Sequence, residues 1–132
     1  MHENDPTFPK KLKVILLVED DEHFLSLEQE LLEHLGFRVL GAARGDQALD
    51  IFRQRTQEID LVIMDFYLPQ KDGYQLLHEL RTIAPQVKVI VASGFFGQEE
   101  LNKFQQARVA GVIHKPFRAK QLQEEILRVL GE

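Results

Sequence analysis

The chain has 132 residues, which is room for one domain with a continuous hydrophobic core and not for two. Apolar residues make up 44% and charged residues 28%, an ordinary globular composition that argues against disorder, coiled coil and collagen-like repeats. A net charge of −5 lacks the basic footprint of direct nucleic-acid binding, and the absence of cysteine excludes disulfide frameworks, thiolate zinc sites and cysteine nucleophiles together. Residues 1–11 carry two prolines and little apolar content and read as a flexible arm, leaving residues 12–132 as the folded domain. The arm has acids and proline where a signal peptide needs a basic start and an apolar run, and no later apolar run exceeds strand length. Cytoplasmic localisation without membrane contact is therefore expected.

From Leu12 onward short apolar runs alternate with helical patterns, the signature of an α/β fold. Residues 14–18 (VILLV) are continuously apolar, as a central parallel strand covered on both faces should be. Acids open the next helix, whose inner stripe reads as Phe24, Leu27, Leu31 and Leu35, with Gly36 at its C-terminal cap. Residues 38–42 make a more polar second strand near the sheet edge, and Asp46 reads as the cap of a helix facing inward through Ala48, Leu49, Ile51 and Phe52. The third strand is 61–64, between Asp60 and Asp65, followed by turn chemistry over residues 68–73 and a short helix through Leu76, Leu77 and Leu80 that ends near Pro85. A fourth strand spans 87–92, a helix spans about 98–107, a fifth strand spans 109–114, and a last helix is lined by Leu122, Ile126, Leu127 and Leu130. Five strands and five helices alternate strictly.

Right-handed crossovers bring all strand C-terminal ends of a parallel sheet to one edge, where ligand sites lie. There this sequence puts Glu19, Asp20 and Asp21 after strand one, Asp65 after strand three, Ser93 after strand four and Lys115 after strand five. Singly each has an ordinary reading: an acidic first turn, a turn aspartate, a helix cap, a surface charge. Their conjunction at four strand ends is harder to explain that way. Carboxylates crowded together repel unless a divalent cation compensates, and an all-oxygen donor set suits Mg²⁺. Magnesium implies phosphate chemistry, in which a carboxylate accepts a phosphoryl group while cation, ammonium and hydroxyl share its charge. Asp65, ending the central strand, is the expected nucleophile.

These residues resemble the receiver domain of two-component response regulators over about 12–130. The similarity lies in residues 14–22 (VILLVEDDE), in 60–65 (DLVIMD) with Leu68-Pro69 and Asp72-Gly73, and in Lys115-Pro116-Phe117. The resemblance implies a flavodoxin-like (βα)₅ fold, a doubly wound five-stranded parallel sheet in the order 2-1-3-4-5. It implies phosphorylation of Asp65 by a histidine kinase or phosphotransfer protein, and Mg²⁺ held by Asp20, Asp65 and the backbone carbonyl of Tyr67 with Glu19 assisting. It further implies that Ser93 bonds a phosphoryl oxygen, that Lys115 pairs with the phosphate, and that the Lys115–Pro116 bond is cis.

Two positions depart from the family pattern. Val112 stands three residues before the lysine, where an aromatic switch residue is common, and Ser93 stands where threonine is commoner. Phe95 and Phe96 are candidates to replace the aromatic switch, although packing is the plainer role for them. The Tyr67 ring could shade the acyl phosphate, and His114 is the only histidine expected near the site. The leading expectation is a phosphoacceptor signalling switch of the single-domain type, not an enzyme with a separate substrate, acting by binding a downstream protein target. Its competitor is a receiver-like interaction module that does not switch, which Val112 favours. A small magnesium phosphatase ranks last, since no cap domain fits and Tyr67 occupies the position of a second catalytic acid.

Overall fold

The computed structural model describes residues 11–68, 72–94 and 97–131. The expectations for the arm up to residue 10, for residues 69–71 of the turn and for Phe95 and Phe96 lie outside the described residues. The elements run β1 (Val14–Val18), α1 (Glu22–His34), β2 (Arg38–Ala42), α2 (Gly45–Arg55), β3 (Leu61–Asp65), α3 (Gly73–Ile83), β4 (Val89–Ser93), α4 (Gln98–Gln106), β5 (Gly111–His114) and α5 (Ala119–Leu130). The strands form one sheet in the order β2-β1-β3-β4-β5, and every pairing is parallel.

The two faces of the sheet carry separate apolar layers, because alternate residues of each strand point opposite ways. Leu16, Val18, Val62, Met64, Val89 and Val91 pack with α2, α3 and α4 through Leu49, Phe52, Leu76, Leu80 and Phe104. On the other face Ile15, Leu17, Leu61, Ile63 and Ile90 meet α1 and α5 through Leu32, Leu122, Ile126 and Val129. This double cover explains why β1 and β4 are buried at every position, while edge strand β2 is buried only at Val39 and Ala42.

Several local expectations change. Phe24 and Leu27 are exposed, at 52% and 47%, and α1 instead packs inward through Leu25 and Leu32, with Leu31 and Leu35 flanking. The leucine-rich sequence of α1 supports more than one helical stripe, and the sheet face selects the other. Arg44, not Asp46, occupies the N-cap of α2; Asp46 sits in the first turn, accepting from the Gln47 amide and pairing with Arg44. The fourth strand starts at Val89 and includes Ser93, since residues 84–87 close a turn with the Val87 amide on the Ala84 carbonyl. The fifth begins at Gly111, after Arg108 adopts a left-handed φ of 57°. On α5, Val129 is buried, with Leu127 and Leu130 at the margin of the same layer.

Candidate functional site

Three backbone hydrogen bonds continue the sheet ladder one residue beyond the strands and fix the loops that follow. The Glu19 amide donates to the Ala42 carbonyl at 3.0 Å, the Phe66 amide to Ala92 at 3.0 Å, and the Lys115 amide to Ser93 at 2.8 Å. Asp21 then caps α1, accepting from the amides of His23 and Phe24, so the acidic run turns at once into helix. Behind Asp65, Phe66 is buried and packs edge to face against Tyr74 and Phe104, at ring-centroid distances of 4.8 and 4.9 Å. Gly73 opens α3 hard against the Phe66 ring and carbonyl, leaving no space for a Cβ.

One oxygen from each of Glu19, Asp20 and Asp65 lies within 4.8 Å of the other two. Octahedral Mg²⁺ holds oxygens about 2.1 Å away, so its ligand oxygens stand about 3 to 4.2 Å apart, and this hard-oxygen set accommodates such an ion with little movement. Lys115 supplies the countercharge. Its Nζ donates to Glu19 Oε2 at 2.7 Å and to Asp65 Oδ2 at 3.3 Å, while Asp65 Oδ1 accepts from the Tyr67 amide at 3.1 Å. A third carboxylate, Glu28 Oε1, stands 3.8 Å from the same ammonium.

Burial shapes the electrostatics. The Glu19 side chain is only 4% exposed, and its desolvation outweighs the hydrogen bond and charge of Lys115, raising its pKa from 4.5 to about 7. Desolvation likewise raises Glu28, against Lys115 and with help from the negative charge of Asp65. Burial pulls the Lys115 ammonium down, yet the hydrogen bond to Glu19 and the charges of Asp65, Glu19 and Glu28 hold its pKa above the ordinary value. Lys115 therefore stays charged at neutral pH, and the group that exchanges its proton near neutrality is Glu19.

The sequence-derived set of Glu19, Asp20, Asp65 and Lys115 is thus brought together, Lys115 by direct contact with Glu19 and Asp65, and Asp20 by proximity to both carboxylates. Ser93 is fully buried at the end of β4, its carbonyl bonded to the Lys115 amide. The Lys115–Pro116 bond is cis, as the resemblance implies. The Tyr67 ring is 52% exposed and lies edge-on to Phe66. Val112 is half-buried against the α2–α4 layer, and His114 is exposed. Glu28 also belongs to the cluster around Lys115, although it lies mid-helix and carries no strand-end signal in the sequence. Its signal was an acid three residues after Leu25 and four before Leu32, inside the stripe that is in fact buried.

Beside Lys115 a groove is lined by Phe24, Glu28, Gly94, Lys115, Pro116 and Phe117. Among the described residues no helix is long and apolar enough to cross a membrane.

Comparison with known proteins agrees with this geometry. The chain is 34% identical over 116 residues to the sensor kinase CckA of Brucella abortus, an alignment covering 88% of this chain and 12% of that protein. It is 32% identical over 118 residues to protein CcdB of Bacillus subtilis, covering 88% of this chain and 97% of that one. Its span is therefore a small part of one relative and nearly the whole of another. The receiver domain of the sensor histidine kinase PA1611 from Pseudomonas aeruginosa superposes with a TM-score of 0.81 at 31% identity. That match covers 92% of this chain and all of the other, which has a magnesium ion coordinated in its active-site cleft. The family model for the response regulator receiver domain matches residues 15–127, from β1 into α5. The chain belongs to that receiver family, a signalling module of two-component systems.

Proposed function

We propose that this domain is a phosphoacceptor switch, phosphorylated on Asp65 in the presence of Mg²⁺ and read out through partner binding. The observation that carries the proposal is Asp65 itself, at the end of the central strand, within one cluster of acidic oxygens and in contact with a buried-site lysine. Glu19, Asp20, Asp65 and the Tyr67 carbonyl would hold the cation, which when bound offsets negative charge on the transferring phosphoryl oxygens. A carboxylate oxygen of Asp65 attacks phosphorus, and the bond from phosphorus to the donor's histidine nitrogen or acyl oxygen breaks, with the electron pair leaving on the donor. Lys115 Nζ moves from Asp65 Oδ2 to a phosphoryl oxygen, and the Ser93 hydroxyl bonds another.

The donor is a histidine kinase or phosphotransfer protein. Exposed Phe24 and Leu27, one helical turn apart on α1, and the adjoining groove give it an apolar surface beside Lys115. The downstream target is a further protein, and the acidic net charge disfavours nucleic acid as a direct ligand. The phosphate bond forms and breaks on the domain itself, with no separate substrate. The non-switching interaction module is favoured by Val112, which leaves the output face around β5 without the aromatic rotamer switch.

Intact mass after incubation with Mg²⁺ and acetyl phosphate tests the reading. Wild type should gain one phosphoryl group, and Asp65→Asn or added chelator should abolish the gain. An unchanged wild-type mass with both acetyl phosphate and a cognate kinase would overturn the switch in favour of the interaction module.

A further inference from the structure

Glu28 is an acid in an unusual place. It lies in the middle of α1, away from the strand ends, and its side chain is only 12% exposed. Burying a carboxylate against a sheet is costly unless a cation answers it, and the cation here is Lys115, 3.8 Å away. The same ammonium donates to Glu19 and to Asp65, so three carboxylates, one after β1, one on α1 and one ending β3, compete for one positive charge. Of these, Asp65 is the one that the reaction modifies. When Asp65 carries a phosphoryl group, Lys115 is wanted by the phosphoryl oxygens, while Glu28 remains where it was and still attracts the ammonium.

We propose that Glu28 is a positioning residue for Lys115: its carboxylate restrains the ammonium from moving to the phosphoryl group, slowing phosphorylation of Asp65 while strengthening divalent-cation binding. The inference rests on the reading of Asp65 as phosphoacceptor. Two electrostatic consequences of one charge run in opposite directions. The Glu28 carboxylate offsets the repulsion between Lys115 and a cation at Glu19, Asp20 and Asp65, and so favours the metal. It also repels the anionic donor and holds back the lysine that would receive it. The charge on Asp65 already contributes to raising the Glu28 pKa, so the two groups interact across the lysine. A residue serving only to pack α1 would have neither effect once replaced by an amide of equal size.

The test uses wild type, Glu28→Gln and Glu28→Asp. Mg²⁺ affinity is measured by isothermal titration calorimetry, and the initial phosphorylation rate by intact mass with acetyl phosphate at saturating Mg²⁺. Glu28→Gln should weaken Mg²⁺ about fivefold and speed phosphorylation about fivefold, the scale of one partly screened charge. Glu28→Asp, which keeps the charge, should stay nearer to wild type in both. Equal constants in wild type and Glu28→Gln, or affinity and rate falling together, would overturn the role of Glu28 while leaving Asp65 as phosphoacceptor. A wild type that accepts no phosphoryl group would overturn both.

Discussion

Replacing Glu19 with glutamine removes a buried charge while keeping the side chain's shape and an oxygen that can accept from Lys115. In the metal-free protein the Glu19 carboxyl titrates near pH 7, against 4.5 for the ordinary group, because burial penalises the charged form more than Lys115 compensates. That difference corresponds to about 3 kcal/mol at 1.36 kcal/mol per pKa unit; water at the mouth of the site relaxes the charged form and reduces it to about 2 kcal/mol. The folded state binds the Glu19 proton more tightly than the unfolded state. Its contribution to stability is therefore complete below about pH 4.5 and is lost as pH rises through about 7. Urea denaturation followed by circular dichroism in EDTA should find wild type and Glu19→Gln close together near pH 4.5. By pH 8 the variant should be about 2 kcal/mol more stable, or about 6 °C higher in Tm. Comparing the two proteins at each pH cancels the histidines and the other acids. A variant that falls further below wild type as pH rises from 4.5 to 8 would refute the reasoning, since the Lys115–Glu19 pair would then be worth more than its desolvation costs.

Magnesium should raise the Tm of the wild type, because the acid cluster exists only in the folded chain; at ten times the dissociation constant the gain is about 1.4 kcal/mol. Asp20→Asn should abolish most of that shift in differential scanning fluorimetry, and a flat response in wild type would count against the metal site. Gly73→Ala should cost about 1 to 3 kcal/mol, since its Cβ would fall 2.7 Å from Phe66 Cε1 and 3.0 Å from the Phe66 carbonyl oxygen, both wedged behind Asp65. An unchanged melting curve would show that Phe66 has somewhere to go.

The sequence by itself determined the class of fold and which polar groups meet at the strand ends. Apolar runs such as 14–18 and 61–64 have no polar face, so they had to lie between two layers of helices, and parallel crossovers then sent Asp65, Ser93 and Lys115 to one edge. The strand order was not contained in that periodicity and came through family resemblance, because a strand's apolar pattern says that it is covered and not which strand lies beside it. Only the tertiary structure decided which stripe of α1 faces inward: with Leu25, Leu27, Leu31 and Leu32 all available, helical spacing fits more than one face, and the contacts of Leu32 with the sheet layer select one. That choice exposed Phe24 and Leu27 and drew Glu28 inward to Lys115, 87 positions away in the sequence. The raised pKa of Glu19 has the same origin. It depends on how much water the fold removes from a carboxylate and on which ammonium stands 2.7 Å away, quantities that arise only when distant segments close around one another.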